Sequence, residues 1–187
     1  LEKYKIEKGF YYGINIVQPG SGFIDFHENN ILVLSGRGIL AYRQDLDDDG
    51  INFKQIKNNL DDFIGIKQFK KHEWFSFKDV LVWNNQIYIS FTEEIKEDCW
   101  NTSIVKGRLN YQNIKFEKFF SQKECVHSKD NIDKEFNAHQ SGGRMVPFDK
   151  DHMLFSVGEY RSRHLAQNLD SVNGKIIKIN IKDQSYE

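Results

Sequence analysis

The chain has 187 residues, 39% of them hydrophobic and 14% aromatic, which supports one domain with a real core and excludes intrinsic disorder. A net charge of −1 provides no global field for drawing nucleic acid or an anionic membrane, and short basic runs such as Lys70-Lys71 read as solvated surface. No apolar run approaches the roughly 20 residues needed to span a bilayer.

In chain order, one phrase recurs: an apolar strand, a polar turn, a second apolar strand, then a return strand. The first instance is Gly22-Phe23-Ile24-Asp25-Phe26, a turn over His27 to Asn30, Ile31-Leu32-Val33-Leu34 and, after Gly36-Arg37-Gly38, Ile39-Leu40-Ala41-Tyr42. The second is Val80-Leu81-Val82-Trp83, the turn Asn84-Asn85, Ile87 to Phe91, and a return over Ser103 to Leu109. The third is Arg144 to Phe148, the turn Asp149 to Asp151, Met153 to Val157, and a return over Lys175 to Ile179. Asn and Asp tolerate the left-handed conformation that tight hairpins need, and Val, Ile, Tyr and Phe suit a pleated, half-buried surface. Helical periodicity is scarce, with one turn expected over Asn58 to Phe63.

The units, approximately residues 14–60, 61–120 and 136–183, predict an all-β fold and recur at a spacing typical of propeller blades with long connections. Three units do not close a ring. The chain therefore reads as a fragment, about half of a larger β-propeller, with open strand edges liable to aggregate. A complete β-sandwich of about ten strands is the alternative. Leu1 in place of Met fits a fragment or a processed chain. Abundant Lys, Asn and Ile with only two Pro point to an AT-rich bacterial genome.

Several motifs carry candidate chemistry. Asp45-Leu46-Asp47-Asp48-Asp49-Gly50 matches the first half of a calcium loop, whose alternating carboxylates suit a hard cation. Ile56 occupies the expected position of its closing glutamate and no helices flank it, so a solvated acidic hairpin tip is the simpler reading. Cys99 and Cys125 lack the further close ligands that a metal site needs. They are either a disulfide, implying an oxidising compartment, or two buried thiols. A predicted hairpin of strands 102–109 and 114–120 brings them together and favours the disulfide. Asn101-Thr102-Ser103 is a glycosylation sequon with meaning only in a eukaryotic secretory pathway. Trp74, Trp83 and Trp100 read most simply as core or inter-blade packing, with sugar stacking the alternative at Trp74. No phosphate loop, nucleophile elbow or zinc cluster is present.

Chemistry concentrates at 139–175, where a histidine and several arginines sit on glycine turns at strand ends. His139-Gln140-Ser141-Gly142-Gly143-Arg144-Met145, Phe155-Ser156-Val157-Gly158-Glu159, Ala166 to Ser171 and Gly174-Lys175-Ile176-Ile177-Lys178-Ile179-Asn180 resemble the soluble quinoprotein glucose dehydrogenase and sorbosone dehydrogenase family. The resemblance implies the N-terminal half of a six-bladed β-propeller. It also implies oxidation of an aldose-type sugar with pyrroloquinoline quinone (PQQ), in which a histidine takes the C1 hydroxyl proton, hydride passes to the quinone, and calcium polarises the cofactor.

On that pattern His139 is the general base, and Arg161, Arg163 and Gln167 lie in the cofactor-binding loop. Imidazole serves as a base near neutral pH without extreme tuning, and arginine forks pair bidentately with the carboxylates such a quinone carries. The family's usual Asp before the histidine is Ala138 here, its Gly-Asp loop start is Gly158-Glu159, and His72-Glu73-Trp74-Phe75 replaces a glycine-rich entry to the second blade. Further cofactor and calcium ligands are expected outside this chain. Arg144 reads as a structural ion pair or backbone contact, Glu159 as a turn cap or ion-pair partner, and Gly174 and Lys175 as structural. The expectation is a periplasmic or secreted bacterial sugar dehydrogenase with an unspecified electron acceptor. The alternative is a non-catalytic propeller binding a sugar or protein partner, with His139 as a turn residue and Arg161 and Arg163 on a solvated face.

Overall fold

The computed structural model describes residues 22–43, 53–72 and 74–187, and the acidic run at 45–50 lies outside them. The first sheet is an antiparallel meander of β1 (Gly22–His27), β2 (Asn30–Ser35), β3 (Leu40–Arg43) and β4 (Lys54–Gln55). The short β5 (Lys57–Asn58) follows, and then a 3-10 turn, Leu60–Asp62, where one turn was expected. A short helix, α1 (Ile66–Lys71), leads to the second sheet.

That sheet runs β6 (Phe77–Trp83), β7 (Gln86–Lys96), β8 (Cys99–Arg108) and, after β9 (Asn113–Ile114), β10 (Glu117–Phe120). The strand β11 (Val126–His127) pairs with the start of β8. In the third sheet β12 (Gly142–Pro147) pairs with β13 (His152–Val157), which pairs with β14 (Lys175–Asn180) after helix α2 (Arg163–Gln167).

The turns follow their residues. Asn84 and Asn85 both take positive φ, 53° and 57°, the pair of left-handed residues that matches the twist of a two-residue hairpin. At the third turn the Asp149 side chain accepts from the backbone N–H of Asp151 (2.8 Å) and His152 (2.9 Å). The predicted strand over 114–120 is divided. Ile114 belongs to β9, which pairs in parallel with β5, and only Glu117–Phe120 joins β8, through a bulge.

β7 explains the architecture. Residues Ile87 to Glu93 are buried without a break, so both faces of this strand are covered. Ile87, Ile89 and Phe91 enter a core with Leu32, Leu34 and Leu40 of the first sheet, whereas Tyr88 enters a core with Met153, Phe155 and Ile179 of the third. The first strands of the sheets lie side by side, β6 between β1 and β12. Sheets fanned about adjacent first strands are blades of a β-propeller, and the two-layer sandwich is set aside. Carboxylates fasten the blades: Asp25 accepts from Val82 N (2.5 Å), and Asp79 accepts from Met145 N (2.8 Å) and from Arg144 Nη1 (2.8 Å). Burial raises the Asp79 carboxyl above its ordinary range, with the Met145 N–H and the Arg144 charge pulling against it. At the ends of the fan Ile24 and Phe26, and Val146 and Ile176, stand in solvent.

Cys99 and Cys125 form a disulfide, with 5.4 Å between Cα atoms, where β8 begins and the chain returns toward β11. Closing a loop with a sequence separation of 26 restricts the unfolded chain. Replacing both cysteines by serine is therefore expected to cost about 3 kcal/mol, read as a lower urea midpoint at unchanged slope.

Candidate active site

Because the three blade sheets run as antiparallel meanders from their first strands, the segment entering the first strand and the turn after the second strand fall on the same face of the fan. That face carries Gly36-Arg37-Gly38, residues 74–76, residues 137–141 and residues 158–164. Here His139 sits in a 3-10 turn, Ala138–Gln140, directly before β12. The Asn137 side chain caps the turn by accepting from His139 N (2.9 Å). The imidazole is exposed and packs on the Trp74 indole, with ring centroids 4.3 Å apart. Trp74 thus has a second contact besides the core-edge packing expected of it.

Beneath this pair runs Lys78, the one basic residue of β6. Its Nζ donates to the carbonyls of Trp74 (2.8 Å) and Ala138 (3.5 Å). Burial, and after it the charge of Arg37, lower the Lys78 ammonium to about 8. Arg37 itself donates to Phe75 O (2.7 Å) and lies over the Phe69 ring. A lysine with a depressed pKa is deprotonated in the folded chain but still protonated in the unfolded chain between about pH 8 and 10.5, so stability contributed by this site rises across that window. Relative to Lys78→Met, the wild-type chain should gain up to about 3 kcal/mol between pH 7 and 10.5, measured by urea unfolding.

The loop after β13 is joined to the histidine turn through backbone. Gly158 N donates to Ser141 O (2.8 Å), Tyr160 N to Gln140 O (3.1 Å), and Asn137 N to Tyr160 O (3.0 Å). Tyr160 and Arg161 hold positive φ, 54° and 74°. Left-handed backbone at such residues costs about 1–3 kcal/mol each and persists only where the surroundings enforce it. Here Tyr160 is fully buried, stacks on Phe136, and donates from its hydroxyl to Thr102 Oγ1 (2.9 Å), which donates to Ser141 O (2.5 Å). Burial pushes the Tyr160 phenol far up.

The arginines that follow pair with a carboxylate from before the histidine turn. Arg161 Nη1 and Arg163 Nη2 lie 3.4 and 3.7 Å from Glu135 Oε2, and His164 pairs with Asp133 (2.8 Å). Arg161 Nε is buried without a hydrogen-bond partner, an orphaned donor that suits an added acceptor. Gln167 is exposed at the last position of α2. Lys175 Nζ donates to the carbonyls of Leu165, Ala166 and Asn173 (3.1, 2.9 and 3.2 Å), closing the end of α2. Among the described residues no three His, Cys, Asp or Glu side chains converge on a possible metal position. Beside the face lies a cleft of about 460 Å³, lined by Lys71, His72, Phe75, Asp98, Lys129 and Phe136. Lys78 is the site residue that sequence reasoning passed over. Its only signal was a charge inside the apolar strand Phe77-Lys78-Asp79-Val80-Leu81-Val82.

Fold and site together define a β-propeller segment that carries a histidine and an indole at the entry to its first strands. The Glucose / Sorbosone dehydrogenase family model matches residues 77–186, more than half of the chain, and the chain belongs to that family. In fold it is similar to a solved glucose dehydrogenase (TM-score 0.64, 20% identity, 87% of this chain and 46% of that one). It is also similar to the soluble aldose sugar dehydrogenase of Escherichia coli in its apo form (0.61, 19%, 86% and 44%). A third similar structure is the PQQ-bound form of aldose sugar dehydrogenase from Streptomyces coelicolor (0.56, 13%, 87% and 49%). The chain spans a little under half the length of these structures. No curated protein sequence matches it significantly.

Proposed function

We propose that the chain contributes the base-bearing part of a PQQ-dependent dehydrogenase that oxidises an aldose-type sugar. The observation that carries the reading, alongside family membership, is His139. It is an exposed imidazole capped at its own backbone and packed on Trp74 where the first strands begin. An imidazole so placed accepts the proton of the sugar C1 hydroxyl, and the flat indole beside it favours a sugar ring against the same surface. When bound, the quinone supplies the two-electron acceptor. Arg161, with its orphaned Nε, supports the assignment of Arg161, Arg163 and Gln167 to the cofactor's polar rim. For the arginines to pair with cofactor carboxylates, Glu135 must release or share them. Calcium belongs to the same proposal through ligands that the described residues do not supply as a cluster. The disulfide supports an oxidising, periplasmic or secreted location.

The pairing of both arginines with Glu135 favours a second reading, a non-catalytic propeller that binds a sugar or a protein. Titration calorimetry of the full-length protein with PQQ in calcium, before and after Arg161→Ala, separates the two. Micromolar or tighter binding that weakens in the variant supports the dehydrogenase. Absence of binding overturns it.

A further inference from the structure

Three features lie outside the assigned residues: the cleft beside α1, the exposed apolar ends of the fan, and the lysine next to the histidine turn. The cleft walls already satisfy one another, since Asp98 pairs with Lys71 and Lys129 at 3.0 and 2.5 Å. The apolar ends carry no indication of what covers them.

We infer that Lys78 is a positioning residue that latches the Trp74 segment to the His139 turn across the boundary between the second and third blades, and so sets the imidazole against the indole. The inference rests on the reading of His139 as a base. Its first support is connectivity. One ammonium bonds the carbonyl of Trp74 itself and that of Ala138, the residue preceding His139. The two contacting rings therefore hang from two backbone points tied to the same nitrogen.

Second, the neighbouring strand packs close against the root of this side chain and covers it. A Cβ on Gly143 would meet Lys78 Cβ at 2.4 Å and Ser90 Oγ at 3.2 Å, and Gly143 takes a φ of +114°. Ser90 Oγ holds that position by donating to Gly143 O (2.5 Å). Third, the scaffold does not require a lysine here. Asp79 fastens the second blade to the third as Asp25 fastens the first to the second, and the residue before Asp25 is Ile24. An ammonium kept where blade one has an apolar side chain costs desolvation, offset by its hydrogen bonds to the carbonyls of both segments.

The test uses the full-length protein with Lys78→Met and Lys78→Arg, both checked by thermal unfolding. The methionine keeps the stem and removes the donor. Ring currents from Trp74 shift the His139 ring protons upfield, and His139→Gln identifies that signal in proton–carbon spectra of labelled histidine. The expected result is that the signal moves to the position of an exposed histidine in Lys78→Met and stays upfield in Lys78→Arg, with kcat lower by about tenfold in the methionine variant and KM steady. An unchanged signal in Lys78→Met overturns the latch. A moved signal with unchanged kcat supports the latch and rejects His139 as the base, so the two readings fail separately.

Discussion

Exchanging His139 for glutamine in the full-length protein is expected to lower sugar turnover by about 10²- to 10⁴-fold, the range that a positioned general base contributes. Glutamine keeps a polar side chain of similar reach. The backbone N–H of residue 139 still donates to Asn137, and the joined backbones of 137–141 and 158–160 do not involve the imidazole. PQQ affinity should therefore change by less than tenfold. A dye-coupled assay with an aldose, run beside calorimetry, reads both quantities. A variant that turns over at the wild-type rate excludes His139 as the base, whereas lost affinity assigns it to cofactor binding.

The largest stability effect is expected at Gly158. A Cβ there would stand 2.0 Å from the carbonyl oxygen of Gln140 and 2.4 Å from the carbonyl carbon of Ser141. Both are backbone atoms, so relief requires the loop after β13 and the histidine turn to part, breaking the Gly158–Ser141 and Tyr160–Gln140 bonds. Gly158→Ala should cost about 3 kcal/mol or more, at the upper end of overpacking. Gly22→Ala is the control, because its Cβ would meet only Leu34 O at an ordinary 3.7 Å. Urea unfolding of the two variants measures the difference, and equal midpoints would mean that the two loops are not held as described.

The blades were legible because their determinants are local. Asn84-Asn85 and Asp149 to Asp151 specify hairpins from within the turn, and the unbroken run from Ile87 to Phe91 already implies a strand covered on both faces. The cysteine pair was legible because a hairpin separates its members. What escaped depends on residues far apart in the chain. Glu135 receives Arg161 and Arg163 from the loop after β13, and nothing near either arginine announces that partner. Lys78 is covered by Gly143 of the next blade and feels the charge of Arg37 from the blade before, so its lowered pKa depends on residues far apart in the chain. The split of the strand predicted over 114–120 has the same origin, since β9 takes its partner from β5, beyond an entire hairpin.

The middle blade bears on how such a scaffold can be rebuilt. Its two faces are different surfaces, Ile87, Ile89 and Phe91 toward one neighbour and Tyr88 toward the other, and each boundary has its own carboxylate fastener. A blade here is not an interchangeable part. Duplicating, deleting or transplanting one would bring together two surfaces never matched to each other, and a chimera must carry both complementary faces with the blade it moves. Opening the chain at a tight turn such as Asn84-Asn85 leaves every one of these boundaries intact. An insertion at such a turn is therefore the milder route to altering this protein, and blade exchange the harsher one.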